Sequence, residues 1–275
     1  MLRIQPNFLN KHPRVHTVPA HEFAQSSENS LKLLSFNIQV GIETQAYHQY
    51  LTKSWQHLLP QMHRNLALRR IAQVMTHFDV VGIQEADGGS FRSGHVNQVE
   101  YLARQANFPH WYSQLNRNFG PMAKHSNGAL CRRQPDEVKY HSLPGLLPGR
   151  GAMVLDFADE LAVVVMHLAL SRRTQQRQLA FVQTLIETYP QVVLMGDMNT
   201  HADYLLGQSP LSELGLQPIT KELATFPSWK PKRALDHILV SEGVQVKRLA
   251  VLDVAVSDHL PIAMEIALPD ALQNA

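Results

Sequence analysis

The chain has 275 residues, 44% of them hydrophobic, enough for one large domain or two small ones around a sizeable core. Lys and Arg number 25 against 23 acids, a formal charge of +2, which excludes a strong global field for nucleic acid or anionic membrane and makes any basic patch local. A single cysteine, Cys131, excludes an intrachain disulfide framework, and the fifteen histidines have no partner cysteines for a zinc-finger cluster, a composition that suits a reducing cytoplasm.

Residues 1–29, with Pro6, Pro13 and Pro19 and the polar QSSENS, read as an N-terminal arm lying over the surface of a domain that occupies residues 30–275. The arm lacks the apolar run of about 7 to 15 residues that marks a signal peptide. No segment reaches the roughly 18 apolar residues of a membrane span, so none is expected. LKLLSFNI (Leu31 to Ile38) and DVVGIQ (Asp79 to Gln84) are short apolar runs suited to buried strands. Between them Leu68, Ile71, Met75 and Phe78 recur at helical spacing and predict one buried helix face. LAVVVMHL (Leu161 to Leu168) and QVVLMGD (Gln191 to Asp197) repeat the pattern, with Leu179, Val182, Ile186 and Tyr189 marking the helix between. ALDHILVS, VKRLAVLD and PIAMEIAL then follow closely enough to predict antiparallel strands. The expectation is an α/β chain with substantial sheet.

Strand after strand ends in, or leads into, a group able to bind metal or move a proton. Asn37 ends SFN and Glu85 follows GIQ; His167 lies in VVVMHLALS; Asp197 and Asn199 lie in VVLMGDMNT, two apart and so aimed to one side of an extended backbone. Asp236 begins DHILV, and Asp258 and His259 precede the last apolar strand. Any one of these is by default a turn or cap residue. The set differs, because carboxylates and asparagines are hard oxygen donors that favour magnesium, manganese or calcium over zinc, and magnesium is the usual partner of phosphate oxygens. That chemistry points toward phosphoester hydrolysis.

The ordered motifs SFNIQVG, GIQEAD, MHLALS, GDMNTHAD, LDHILVS and VSDHLP resemble those of the endonuclease/exonuclease/phosphatase superfamily over roughly residues 31–268, with GDMN and SDH about 60 residues apart and LDHI between them. The resemblance implies a four-layered α/β/β/α sandwich of two mainly antiparallel sheets flanked by helices. It implies a metal site with Asn37, Glu85 and Asp258, in which Glu85 binds the cation, Mg2+ or Mn2+, directly. It also implies catalytic roles for His167, Asp197, Asn199, Asp236 and His259. Asp197 and Asn199 would meet the nucleophilic water and the phosphate, His167 the scissile phosphate or leaving group. His259 would touch the phosphate or act as acid or base, with Asp236 holding its imidazole. Either Asp197 or His259 could take the proton from water.

Arg92, in the loop after Glu85, and Arg150, between two glycines in LPGRGAM, are candidate phosphate contacts. Asn116, Arg117 and His125 could reach substrate, but read more simply as a surface loop. Phe226 and Trp229 read as packing before the active-site strand, and His201 and Asp203 as a turn. His237, one residue after Asp236 on a strand, should face the other way. The expected activity is metal-dependent hydrolysis of a phosphoester, in first place a phosphodiester. A DNA or RNA nuclease and a sphingomyelinase-like lipid phosphodiesterase are alternatives within that class, and a catalytically silent scaffold is the alternative outside it. Nucleic acid stays among the candidate partners; no protein partner is evident.

Overall fold

The computed structural model describes residues 17–24, 29–41, 62–146, 149–218 and 223–273. Most of the predicted arm, including Pro6, Pro13 and residues 25–28, lies outside the described residues. Two six-stranded sheets stack face to face. The first contains β1 (Ser30–Asn37), β2 (Val80–Asp87), β3 (His110–Asn118), β4 (Lys124–Cys131), β11 (Val246–Val251) and β12 (Ile262–Ala267), in the order β11-β12-β1-β2-β4-β3. The second contains β5 (Glu137–Ser142), β6 (Gly151–Phe157), β7 (Leu161–His167), β8 (Gln191–Asp197), β9 (Gln217–Pro218) and β10 (Asp236–Val240), in the order β5-β6-β7-β8-β10-β9. Among these strands β1/β2 and β7/β8 pair in parallel and the other pairs are antiparallel.

Those parallel pairs sit mid-sheet, which is why their sequences are continuous apolar runs rather than alternations: both faces are covered. Period 2 divides β1 between two environments. Leu33 packs between the sheets with Val80, Val165 and Met195, while Leu34 and Phe36 face outward onto Leu68, Ile71 and Met75. Those last three belong to α1 (Met62–Met75), which with α2 (Gln98–Gln105) covers the first sheet. On the second sheet, Leu179, Val182 and Ile186 of α3 (Arg172–Ile186) pack on Val164 and Leu194, beside α4 (Ala202–Gly207). The chain is thus an α/β/β/α sandwich. Phe78 and Tyr189 extend the two helical patterns past the helix ends, Phe78 into the core and Tyr189 to donate its hydroxyl to Asp156 Oδ2 at 2.8 Å.

The described part of the predicted arm does more than lie on the surface. Val18 bridges to Leu252, and Phe23 is buried in the core, its ring 5.6 Å from that of Phe78 and capped by the Arg248 guanidinium at 4.3 Å. Burying a side chain of that size stabilises by about 1.5–3 kcal/mol. No helix among the described residues is long and apolar enough to cross a membrane.

Parallel pairing has a positional consequence. Strands that run together end together, so β1 and β2 deliver Asn37 and Glu85 to one end of their sheet, and β7 and β8 deliver His167 and Asp197 as direct register partners. Antiparallel β10 starts where β8 stops, placing Asp236 opposite Asp197.

Candidate active site

Glu85 reaches the site through a break in its strand. The β2/β4 register shifts between Ile83 and Ala86, and Glu85 takes φ 57°, a left-handed conformation that turns its carboxylate out of the pleat. The side chain keeps 34% exposure where its neighbours are buried. In the facing sheet, Gly196 (φ 152°) precedes Asp197, and a Cβ there would stand 1.8 Å from the Met166 carbonyl oxygen. Glycine is therefore what lets β7 and β8 hold His167 and Asp197 side by side.

The acidic and imidazole groups form one chain of contacts. Asn37 Nδ2 donates to Asp197 Oδ2 at 3.0 Å, while its Oδ1 accepts from the Gln39 amide at 3.1 Å. His167 Nε2 is 3.5 Å from the same Asp197 oxygen and 3.9 Å from Glu85 Oε1. Asn199, with φ 51°, donates its amide to the Leu168 carbonyl at 3.0 Å and reaches His167 Nε2 at 3.2 Å. On the other side, His259 Nε2 is 3.9 Å from Asp197 Oδ2, and its Nδ1 donates to Asp236 Oδ2 at 2.7 Å. Thr225 donates its hydroxyl to that Asp236 oxygen, and the Phe226 ring lies 4.9 Å from the imidazole. Ser257 ties the loop down, its hydroxyl donating to the Asn37 carbonyl at 2.7 Å and lying 3.2 Å from Asp258 Oδ1. His237 faces away and bonds the Thr200 carbonyl at 2.7 Å.

Burial and crowding set the charges. Burial, reinforced by Asp236 and Glu85, pushes the Asp197 carboxyl up to about 7. Burial, with Glu85 adding to it, pushes Asp258 up to about 6. Burial, then the Arg150 guanidinium, holds His167 well below the usual imidazole value, so it is neutral. Burial works against charge on His259 too, but Asp236, Asp197 and Asp258 outweigh it and hold that imidazole well above its usual value. One buried carboxylate thus stands between a neutral and a charged imidazole.

The donor set fits a divalent cation. Glu85, His167 and Asp197 each offer an atom within 4.8 Å of the others, and Asp258 adds a buried carboxylate to the same field. Acids crowded until their proton affinity rises form a site whose repulsion a hard cation would relieve. Asp197, Asp236 and His259 form a second such group, but within it Asp236 and His259 are bonded to each other. Asn37, as oriented here, holds Asp197 in place with its amide.

A cleft of about 490 Å³ opens beside Glu85 and His167, and its walls include Asn116, Arg117, His125, Arg150, Leu146 and Leu170. Arg150 projects from the entry to β6, its Nη1 2.7 Å from His167 Nδ1. Arg92 stands apart from the cleft lining: its Nε pairs with buried Asp87, and its Nη1 lies 3.4 Å from His125 Nε2. Buried within its own loop, it touches the cleft lining at His125. Asn116, Arg117 and His125, simpler to read as surface loop, instead belong to β3 and β4 and line the cleft. The signal that could have found them is the facing LPGRGAM, whose two glycines clear room for Asn116 and Arg117.

A sequence model of the Endonuclease/Exonuclease/phosphatase family matches residues 34–259. Comparison with curated proteins found no relative of significant similarity. Among solved structures, an endonuclease/exonuclease/phosphatase from Beutenbergia cavernae is 19% identical, with a TM-score of 0.65 over 89% of this chain and 73% of that one. A mannosyl-6-phosphatase from Bacteroides thetaiotaomicron is 17% identical, with a TM-score of 0.61 over 86% of this chain and 99% of that one. ANGEL2, a 2',3'-cyclic phosphatase, is 15% identical, with a TM-score of 0.60 over 87% of this chain and 95% of that one. Identities this low speak to the shared sandwich, whereas the family match spans most of the chain and every motif from β1 to His259; the protein belongs to the endonuclease/exonuclease/phosphatase family, whose members are hydrolases of phosphoester bonds.

Proposed function

We propose that this chain hydrolyses a phosphodiester by in-line attack of water, with a divalent cation, Mg2+ or Mn2+, held by Glu85 with Asp258 and Asp197. The observation that carries the reading is the setting of Asp197 Oδ2, 3.5 Å from the neutral His167 imidazole and 3.9 Å from the charged His259 imidazole. The carboxylate between them can take a proton from water, and the charged His259 can give one to the leaving oxygen.

The cation, when bound, supplies Lewis-acid polarisation of a non-bridging phosphate oxygen. Asp197 accepts the proton of the attacking water at Oδ2, the oxygen that faces both imidazoles. Asn37 fixes that carboxylate and Asn199 fixes the His167 ring. His259 presents an Nε2 proton to the negative charge that develops in the transition state, while Asp236 fixes its tautomer. Arg150 meets the phosphate beside His167. The names of the structural neighbours cover a sugar phosphomonoester and a cyclic phosphodiester. The diester is preferred here because a cleft of about 490 Å³, lined by Leu146 and Leu170 as well as by polar groups, has room for organic substituents on the phosphate. The lone, buried Cys131 thiol fits a cytoplasmic setting.

The test is a panel with Mg2+ or Mn2+ containing plasmid DNA, abasic duplex, RNA, phospholipid, inositol phosphates and bis(4-nitrophenyl) phosphate. Metal-dependent turnover of at least one diester is expected, abolished by chelator. Silence on every member, with no calorimetric cation binding, overturns the reading in favour of a silent scaffold.

A further inference from the structure

We propose that Arg117 is a second anion subsite, so that the substrate carries another anionic group beyond the phosphoester that is cut. This rests on the hydrolase reading of the neighbouring cluster. Arg117 lies on β3 of one sheet and lines the same cleft as Arg150, which enters from the other. Its guanidinium lies over the Phe119 ring at 4.3 Å, and among the described residues it pairs with no carboxylate. Arg117 is exposed to the cleft, and its stem packs against the loop that leads into β6. Gly149, at φ 124°, brings backbone against its stem so closely that an added Cβ would stand 2.9 Å from Arg117 Cδ. Gly151 does the same for Asn116, where a Cβ would stand 2.2 Å from Oδ1. The GRG segment thus places Arg150 in the cleft while clearing the wall on which Asn116 and Arg117 stand.

Arg150 belongs to the scissile phosphate through its contact with His167. Arg117 lines the same cleft from the other sheet and offers a planar fork with no carboxylate partner among the described residues, a geometry suited to the oxygens of a second phosphate. The next phosphate of a nucleic acid strand and the second phosphate of a small bisphosphate share that chemistry.

Binding separates these sources without requiring turnover. The full chain with Mg2+ is titrated with thymidine 3',5'-bisphosphate against thymidine 5'-phosphate, and with 1,3-propanediol bisphosphate against propyl phosphate. The wild type should prefer the bisphosphate in at least one pair by about 10- to 100-fold, as a charge-assisted hydrogen bond allows. Arg117→Met should abolish that preference, Arg117→Lys restore part of it, and Gly149→Ala, which keeps the charge but crowds the stem, reduce it. Preference in the nucleoside pair alone assigns a nucleic acid strand; preference in both assigns any second phosphate. No preference in either pair, or a preference that survives Arg117→Met, overturns the subsite. Turnover of bis(4-nitrophenyl) phosphate by the wild type, run beside the titrations, reads the hydrolase assignment separately.

Discussion

Asp87 and Asp197 are both buried carboxylates at the end of a central strand, and they are treated in opposite ways. Around Asp87 everything donates: the amides of Gly89 and Ser90, the hydroxyls of Ser90 and Ser93, and the Arg92 guanidinium. Burial works to raise its proton affinity, but Arg92 and Ser90 outweigh burial and hold the carboxyl below its usual value. Around Asp197 stand two further acids, and its carboxyl rises to about 7. A carboxylate whose charge the protein satisfies knots a loop together. One whose charge the protein leaves crowded is available to a cation and a proton. The difference lies in the partners, since both residues follow the same kind of apolar strand.

That contrast is open to attack at several points. The largest effect expected is at Asp87, where Asp87→Ala leaves Arg92 buried without its partner and should cost about 3–5 kcal/mol in urea unfolding. Replacing both residues, as Asp87→Ala with Arg92→Met, should cost less than the single change; a cost equal to the sum would show that the pair is not coupled. At the other site, His259→Ala should lower turnover at least about 10²-fold while the circular dichroism spectrum stays native. Near-normal activity on a verified substrate would remove His259 from the mechanism.

Asp197 has a raised folded pKa, so its favourable contribution is present below about pH 4, where the carboxyl is protonated in both states, and is lost as pH rises toward about 7. Asp197→Asn removes that loss. In chelator, its stability relative to wild type should therefore climb between pH 5 and pH 8 by on the order of 1–3 kcal/mol, and added Mg2+ should narrow the gap. Asp87, with its lowered value, should show the reverse, its contribution being lost only in acid. A flat difference curve for Asp197→Asn would mean that the crowding is relieved within the apo protein. The smallest effect belongs to Thr225→Val, which removes one buried donor to Asp236 and should cost about 1 kcal/mol.

The central strands were legible because burial on both faces writes itself as an unbroken apolar run, and because helical spacing over Leu68, Ile71 and Met75 admits few other readings. Their polar terminal residues were legible for the same reason: an Asp or Asn after such a run stands out. The cleft wall was not. β3 is an edge strand whose residues are mostly half-buried or exposed, so no periodicity distinguishes it from loop, and Arg117 packs against a glycine in the distant loop before β6. The course of the Arg92 side chain was hidden for a related reason. Nothing in DGGSFRSGHVNQ says that its guanidinium turns back to Asp87 rather than outward. The burial of Phe23 within a Pro-rich, polar stretch was equally hidden, because one aromatic residue carries no period.

The left-handed conformation of Glu85 has an evolutionary side. Glycine would occupy φ 57° without penalty, whereas a side chain there costs on the order of 1–3 kcal/mol, before the repulsion that its carboxylate brings to Asp197 and Asp258. A library screened only for resistance to heat should therefore drift toward glycine at position 85 and return a sturdier, inert sandwich. Glutamate at that position is a choice that folding alone would not make.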